Sequence, residues 1–343
     1  MKYLKFSIFL LLFLFLISIN NLWGSSQDCF FYRSLHHTGA GMKNGYDEGF
    51  KKILKIPYEK LGCEHCHVKT CDTCHAMKEK AGWVYSTKKV KNIKTCLKCH
   101  ARAGLSLMMA KKMGIKDVHF SKGMVCSDCH GGMDVHGNGV LPRSMMEKGV
   151  IRASCRNCHK TLKKIRAHVV HKGKVSCEAC HVYRSIACVN CHMGAFFKTH
   201  RKKGNFIPSA SWVLLVNYNG KVTTGTAMTI VYKKHKFVTY APYFTHIVVK
   251  KGRSCKECHG NKAINLIKQG KAVPVVSYRN GKIVFWKGVI PVIKGKIKWT
   301  YFDKVGNKKW IPLKSNKKEI IQWWYAKPLS EDQIRKLELP FTH

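Results

Sequence analysis

The chain has 343 residues, room for one or two domains, with 17 cysteines, 19 histidines and a formal charge of +44 from 62 Lys/Arg against 18 Asp/Glu. So many cysteines and histidines are foreign to an ordinary cytosolic chain of this length, and the basic residues are spread along the chain instead of forming a tail. Charge this dense normally points to nucleic acid, anionic lipid or acidic proteins; the N-terminus, which reads as an export signal, excludes the first.

Lys2 and Lys5 precede an uncharged apolar run from Phe6 to Ile19, and small residues follow at Gly24, Ser25 and Ser26. This is the layout of a secretory signal, expected over 1–26. The run is short for a membrane span, although Leu22 and Trp23 could extend it into an uncleaved anchor. The expected location is extracytoplasmic, periplasmic in a two-membrane cell. Cys29 falls outside every motif described next and is read as a bystander of processing.

Sixteen of the cysteines form C-x-x-C pairs: Cys63/Cys66, Cys71/Cys74, Cys96/Cys99, Cys126/Cys129, Cys155/Cys158, Cys177/Cys180, Cys188/Cys191 and Cys255/Cys258. A histidine follows each at once: His67, His75, His100, His130, His159, His181, His192 and His259. C-x-x-C alone would also suit zinc or a redox dithiol. C-x-x-C-H is the attachment motif for c-type haem. Two thiols add to the vinyl groups of one porphyrin edge, and the next residue supplies the proximal imidazole. The expected cofactor is eight haem c. Their propionates, about 16 carboxylates, would absorb part of the lysine excess.

Each low-spin iron needs a second axial ligand. His119 and His171 stand a few residues before Cys126 and Cys177, and His246 stands before Cys255. His168 lies one helical turn from His171, and His136 and His200 closely follow their motifs. These six are the leading distal candidates; His36, His37, His65 and His235 form a second set, and terminal His343 is assigned nothing. Catalytic residues are not identifiable.

The pattern resembles the multihaem cytochrome c superfamily over roughly residues 60–260. That resemblance implies short helices and loops wrapped round stacked haems in 27–200. Helices are expected at Leu105–Met113 and Cys155–His168, with turns at Gly131-Gly132 and Gly137–Gly139. From 201 to 343 the composition changes, and a β-rich part carrying the eighth haem is expected. Asn219-Gly220 and Asn280-Gly281 lie between alternating apolar runs and mark two-residue hairpins. A third hairpin is expected from Lys298–Tyr301 and Lys309–Pro312, and Ser330 with Gln333 caps a terminal helix. Trp323, Trp324 and Tyr325 are read as packing residues.

The function expected is electron transfer along a haem row in anaerobic respiration, with acidic redox proteins or an anionic membrane surface as partners. Eight motifs also resemble octahaem enzymes such as tetrathionate reductase and hydroxylamine oxidoreductase relatives. There one open haem acts on a small nitrogen or sulfur species. No motif here ends in lysine or has a widened cysteine spacing, as some related enzymes do. A third reading is a subunit of a haem filament or membrane complex.

Overall fold

The computed structural model describes residues 30–62, 67–200, 204–244, 246–306 and 309–339. The expected signal segment, Cys29, Cys63, His65, Cys66 and His343 lie outside them. Among the described residues no helix is long and apolar enough to cross a membrane. The chain forms two compact units, each built from separate segments. The first comprises 30–46, 57–95 and 126–154; the second comprises 47–56, 96–125 and 155 onward. Residues 155–200 therefore group with the C-terminal sheet, across the boundary expected at 200.

The first unit holds motifs one, two and four. Its hairpin, among the described residues, is β1 (Ala76–Glu79) with β2 (Gly82–Tyr85) and follows directly on motif two. Its buried apolar side chains among the described residues are Tyr46, Tyr58 and Val68, while Trp83 and Tyr85 are largely exposed. A core so small cannot offset the entropy of ordering the chain.

The second unit contains the remaining strands. They are β3 (Ala187–Val189), β4 (Cys191–His192), β5 (Ile207–Ser209), β6 (Trp212–Tyr218), β7 (Lys221–Tyr232) and β8 (His235–Pro242). After motif eight come β9 (Val273–Arg279), β10 (Lys282–Phe285), β11 (Gly288–Pro291), β12 (Ile297–Trp299), β13 (Phe302–Val305), β14 (Lys309–Pro312) and β15 (Glu319–Trp323). The main sheet runs β11-β6-β7-β8-β15, with β4 beside β7. Its centre is antiparallel, and β11 and β15 join it in parallel.

Both Asn-Gly turns form as their chemistry dictates. Tyr218 pairs with Lys221 and Arg279 with Lys282, and the four turn residues have φ between 49° and 80°. The core beneath contains Trp212, Leu214, Val216, Tyr240, Val275, Trp299 and Phe302. Trp323 stacks on Tyr240 at 4.6 Å, and Trp299 donates its indole N–H to the Tyr240 hydroxyl at 2.7 Å. Burial pushes that hydroxyl's pKa up.

Two expected elements are corrected. The third hairpin pairs Phe302–Val305, not Lys298–Tyr301, with Lys309–Pro312, because a short turn at Gly306 must be flanked by the residues next to it. Ile297–Trp299 instead lies parallel to β9. The single helix expected at Cys155–His168 is two: Cys155–Cys158, then Arg166–His171 after Ile165 turns extended. The expected helix at Leu105–Met113 is present as Ala101–Lys112, and Ser330 and Gln333 form the capping box of Glu331–Glu338.

Candidate functional site

Six of the described motifs are built as single helical turns. The histidine N–H closes onto the carbonyl of the first cysteine in His75→Cys71 (2.9 Å), His100→Cys96 (3.0 Å), His130→Cys126 (2.9 Å), His159→Cys155 (2.9 Å) and His259→Cys255 (2.8 Å). Motif six lies within the helix Cys177–His181. Residues i, i+3 and i+4 of such a turn share one face, which is the arrangement that attachment to one porphyrin would need.

The second cysteines tighten the same turns. The N–H of Cys74 donates to Cys71 O at 3.1 Å, that of Cys99 to Cys96 O at 3.2 Å and that of Cys129 to Cys126 O at 3.3 Å. The polypeptide covers these expected attachment points to different degrees. Cys74 is half-buried, while Cys99 and Cys129 are exposed, as is Cys158; Cys180 and Cys258, against the sheet, are half-buried. The physical reason is local: a turn of four or five residues cannot fold over its own side chains, and polar or charged neighbours such as Asp72, Lys98 and Asp128 supply no apolar cover. At Cys99 and Cys129, which are exposed, the expectation of haem attachment rests on the motif and its turn geometry. None of these described cysteines is paired in a disulfide. Nor do three His, Cys, Asp or Glu side chains gather as a metal-ion site among the described residues.

Four of the histidines expected as proximal ligands face a second imidazole. In the first unit His75 faces His136 with ring centroids 6.1 Å apart. In the second unit His159 faces His119 at 6.2 Å, His181 faces His168 at 6.3 Å and His259 faces His171 at 6.1 Å. A metal–imidazole bond is about 2 Å, so two imidazoles on opposite sides of one iron have centroids roughly 6 Å apart. These residues fit a bis-histidine haem.

The rings are also oriented for it. Ligating histidines normally commit one ring nitrogen to a carbonyl or carboxylate, which leaves the other as a lone-pair donor. His181 Nδ1 lies 3.0 Å from Val249 O, and His259 Nδ1 lies 3.1 Å from Lys336 O. His168 Nδ1 is 2.9 Å from Lys163 O, and His171 Nδ1 is 2.9 Å from Ala167 O. His130 Nδ1 meets the buried Asp134 carboxylate at 3.1 Å. His36 Nδ1 meets Val135 O at 3.1 Å. Desolvation, then the facing ring, lowers the pKa of both His136 and His259, which favours the neutral imidazole that binds iron.

Motifs five, six and eight adjoin. Cys155 Sγ of motif five reaches Glu178 Oε1 of motif six at 3.9 Å, and the nearness of Cys155 and Cys177 raises the pKa of the first and lowers that of the second. Between motifs six and eight stands Arg253, whose guanidinium donates to Ala179 O and Tyr183 O at 3.0 Å each and also to Val182 O. Its own N–H donates to Cys180 O at 3.0 Å. His168 and His171, one turn apart on Arg166–His171, thus face the proximal histidines of two sites joined by one arginine. Sequence reading singled out both histidines but missed Arg253; its place two residues before Cys255 was the only clue. Gly39 was missed too. It has φ +63°, and a Cβ there would fall 1.7 Å from His67 Nε2, so only glycine lets the imidazole of motif one lie against this backbone.

The other candidates sit as follows. His37 is flanked edge-on by Phe31 and Tyr32. His200 ends the helix Met193–Thr199 in the left-handed region. His235 opens β8 with Nε2 2.9 Å from Lys317 Nζ. His246 is exposed ahead of motif eight.

Motif seven is built differently. Cys188 lies in β3 opposite Pro208, Asn190 is left-handed at φ 55°, and Cys191 and His192 form β4 against Ile230 and Val231. His192 accepts the Ala195 N–H on Nδ1 at 3.1 Å and meets Asp303 Oδ1 through Nε2 at 2.8 Å.

Residues 113–182 match a family model described as Cytochrome c7 and related cytochrome c. The matched stretch holds motifs four to six together with His119, His136, His168 and His171. It supports a multihaem c-type cytochrome with covalently bound haem, and hence electron transfer. No curated protein and no solved structure matches the chain.

Proposed function

We propose that the chain is an exported multihaem c-type cytochrome that conducts electrons in anaerobic respiration, with eight motifs setting an upper bound of eight haem c. The observation that carries this reading is the run of motifs five, six and eight, each with its proximal imidazole facing a second one and adjoining the next. Bound haem supplies one-electron redox chemistry. The chain's own part is to tether the porphyrin edges through paired cysteines and to place imidazoles on both faces. The pairs His75/His136, His159/His119, His181/His168 and His259/His171 are the axial ligands proposed. A closed bis-histidine site leaves no position for substrate, which favours transport over catalysis.

Arg253 fixes the spacing of sites six and eight by binding three backbone carbonyls. The +44 charge gives the folded chain an attraction for acidic redox proteins or an anionic membrane surface, and it makes docking rates fall with ionic strength.

The test is an electron paramagnetic resonance spectrum of the oxidised protein, repeated with nitrite, hydroxylamine, sulfite and tetrathionate. Conduction through closed sites predicts low-spin signals that none of the four shifts. A signal that moves with one of them would identify an open haem and an octahaem-type oxidoreductase instead.

A further inference from the structure

Motif seven breaks the rule that the other described motifs obey. Their histidine N–H groups return to the first cysteine of the same motif; that of His192 donates instead to Asn205 O at 2.8 Å. The pair Cys188 and Cys191 spans two strands and a left-handed residue, so the shared face of a helical turn is lost.

The imidazole is committed as well. The Ala195 N–H can only donate, so Nδ1 of His192 carries no proton and the ring proton sits on Nε2, which donates it to Asp303. His181 and His259 are the reverse: their Nδ1 meets a carbonyl, and Nε2 keeps its lone pair. Iron ligation through His192 Nε2 would require losing Asp303, turning the ring proton toward Ala195 and uncapping the helix Met193–Thr199.

The backbone between the cysteines is locked in place. Asn190 is fully buried, its N–H donates to Thr229 Oγ1 at 2.7 Å, and its side-chain amide exchanges two bonds with Phe302, at 2.7 and 2.8 Å. These bonds tie the C-x-x-C segment into the main sheet and to β13.

We infer that Cys188–His192 is a structural joint of the C-terminal sheet and holds no haem, so that the folded protein carries haem at the other seven motifs. This rests on the multihaem reading and deepens it: the run of motifs five, six and eight does not include site seven. The experiment is intact-mass and peptide analysis of the full chain, matured in a host that attaches c-type haem. Seven haems, with the peptide spanning Cys188–His192 free of haem, is the expected result. Haem on that peptide overturns the inference, as does a missing haem at any other motif. No haem anywhere would overturn the multihaem reading itself. As a second readout, His192→Ala and Asp303→Asn are expected to leave the low-spin haem count per chain unchanged; loss of one low-spin haem in either contradicts the inference.

Discussion

Among the described residues, 57–95 and 126–154 bury almost no apolar side chains of their own, whereas the sheet region closes over Trp212, Phe237, Ile290 and Phe302, each at most 1% exposed. One stretch of chain is a set of tethers and the other is a self-sufficient fold. The difference teaches where the folding free energy comes from. A buried large apolar side chain contributes about 1.5–3 kcal/mol, and the first unit has too few to fold on peptide contacts alone. On the function proposed, covalently held haem would supply its interior, while the sheet needs none. Motif seven lies on the sheet's side of that divide, with its segment hydrogen-bonded as strand, and motif eight keeps its helical turn between β8 and β9.

The largest effect that could break this comparison is cofactor removal. Protein made without haem attachment is expected to exchange the amides of 57–95 and 126–154 at rates near those of open chain, while β6, β7 and β8 stay protected, as read by hydrogen-exchange mass spectrometry. Equal protection in both regions would erase the distinction.

A smaller but sharper test is Asn190→Ala. It leaves the Phe302 N–H and C=O buried without partners and forces alanine to φ 55°. The expected cost is about 3 kcal/mol in denaturant unfolding of the sheet, with the haem spectrum intact. Next, His168→Ala and His171→Ala are each expected to alter one haem, at motif six and at motif eight respectively, seen as one low-spin signal converted in each variant. The same signal lost in both would show that the helix does not serve two sites.

The smallest effect is Glu319→Gln on β15. Burial raises the Glu319 pKa, offset in part by the Tyr301 hydroxyl that donates to it at 2.7 Å and by Lys236. With the folded pKa above the unfolded one, ionising Glu319 costs the folded state stability, and the cost grows as pH rises through the folded value. Glu319→Gln should therefore melt slightly higher at neutral pH, and that advantage should vanish in acid.

Much of this was legible in the sequence for identifiable reasons. The two Asn-Gly pairs sat at turns that require φ > 0, and the cysteine spacing carried its own helical turn. The exposure of Cys99 and Cys129 was not legible, because spacing fixes which face a sulfur takes and says nothing of what covers it. The hairpin between β7 and β8 was hidden too, because its turn residues are Lys233 and Lys234, at φ 45° and 63°, with neither glycine nor asparagine to mark them. The division of 155–200 from the first unit was hidden because it arises from pairings such as Cys191 with Ile230. The departure of motif seven was hidden for the same reason. Its letters match the other motifs, and the carboxylate that claims His192 is 111 residues away.

The central claim is that facing imidazoles close the haem irons. Near-infrared magnetic circular dichroism of the oxidised protein tests it most directly, since the low-spin charge-transfer band separates histidine–histidine from histidine–methionine ligation and high-spin iron gives its own bands. The account predicts histidine–histidine intensity for at least four irons per chain. Fewer than four such irons would contradict it.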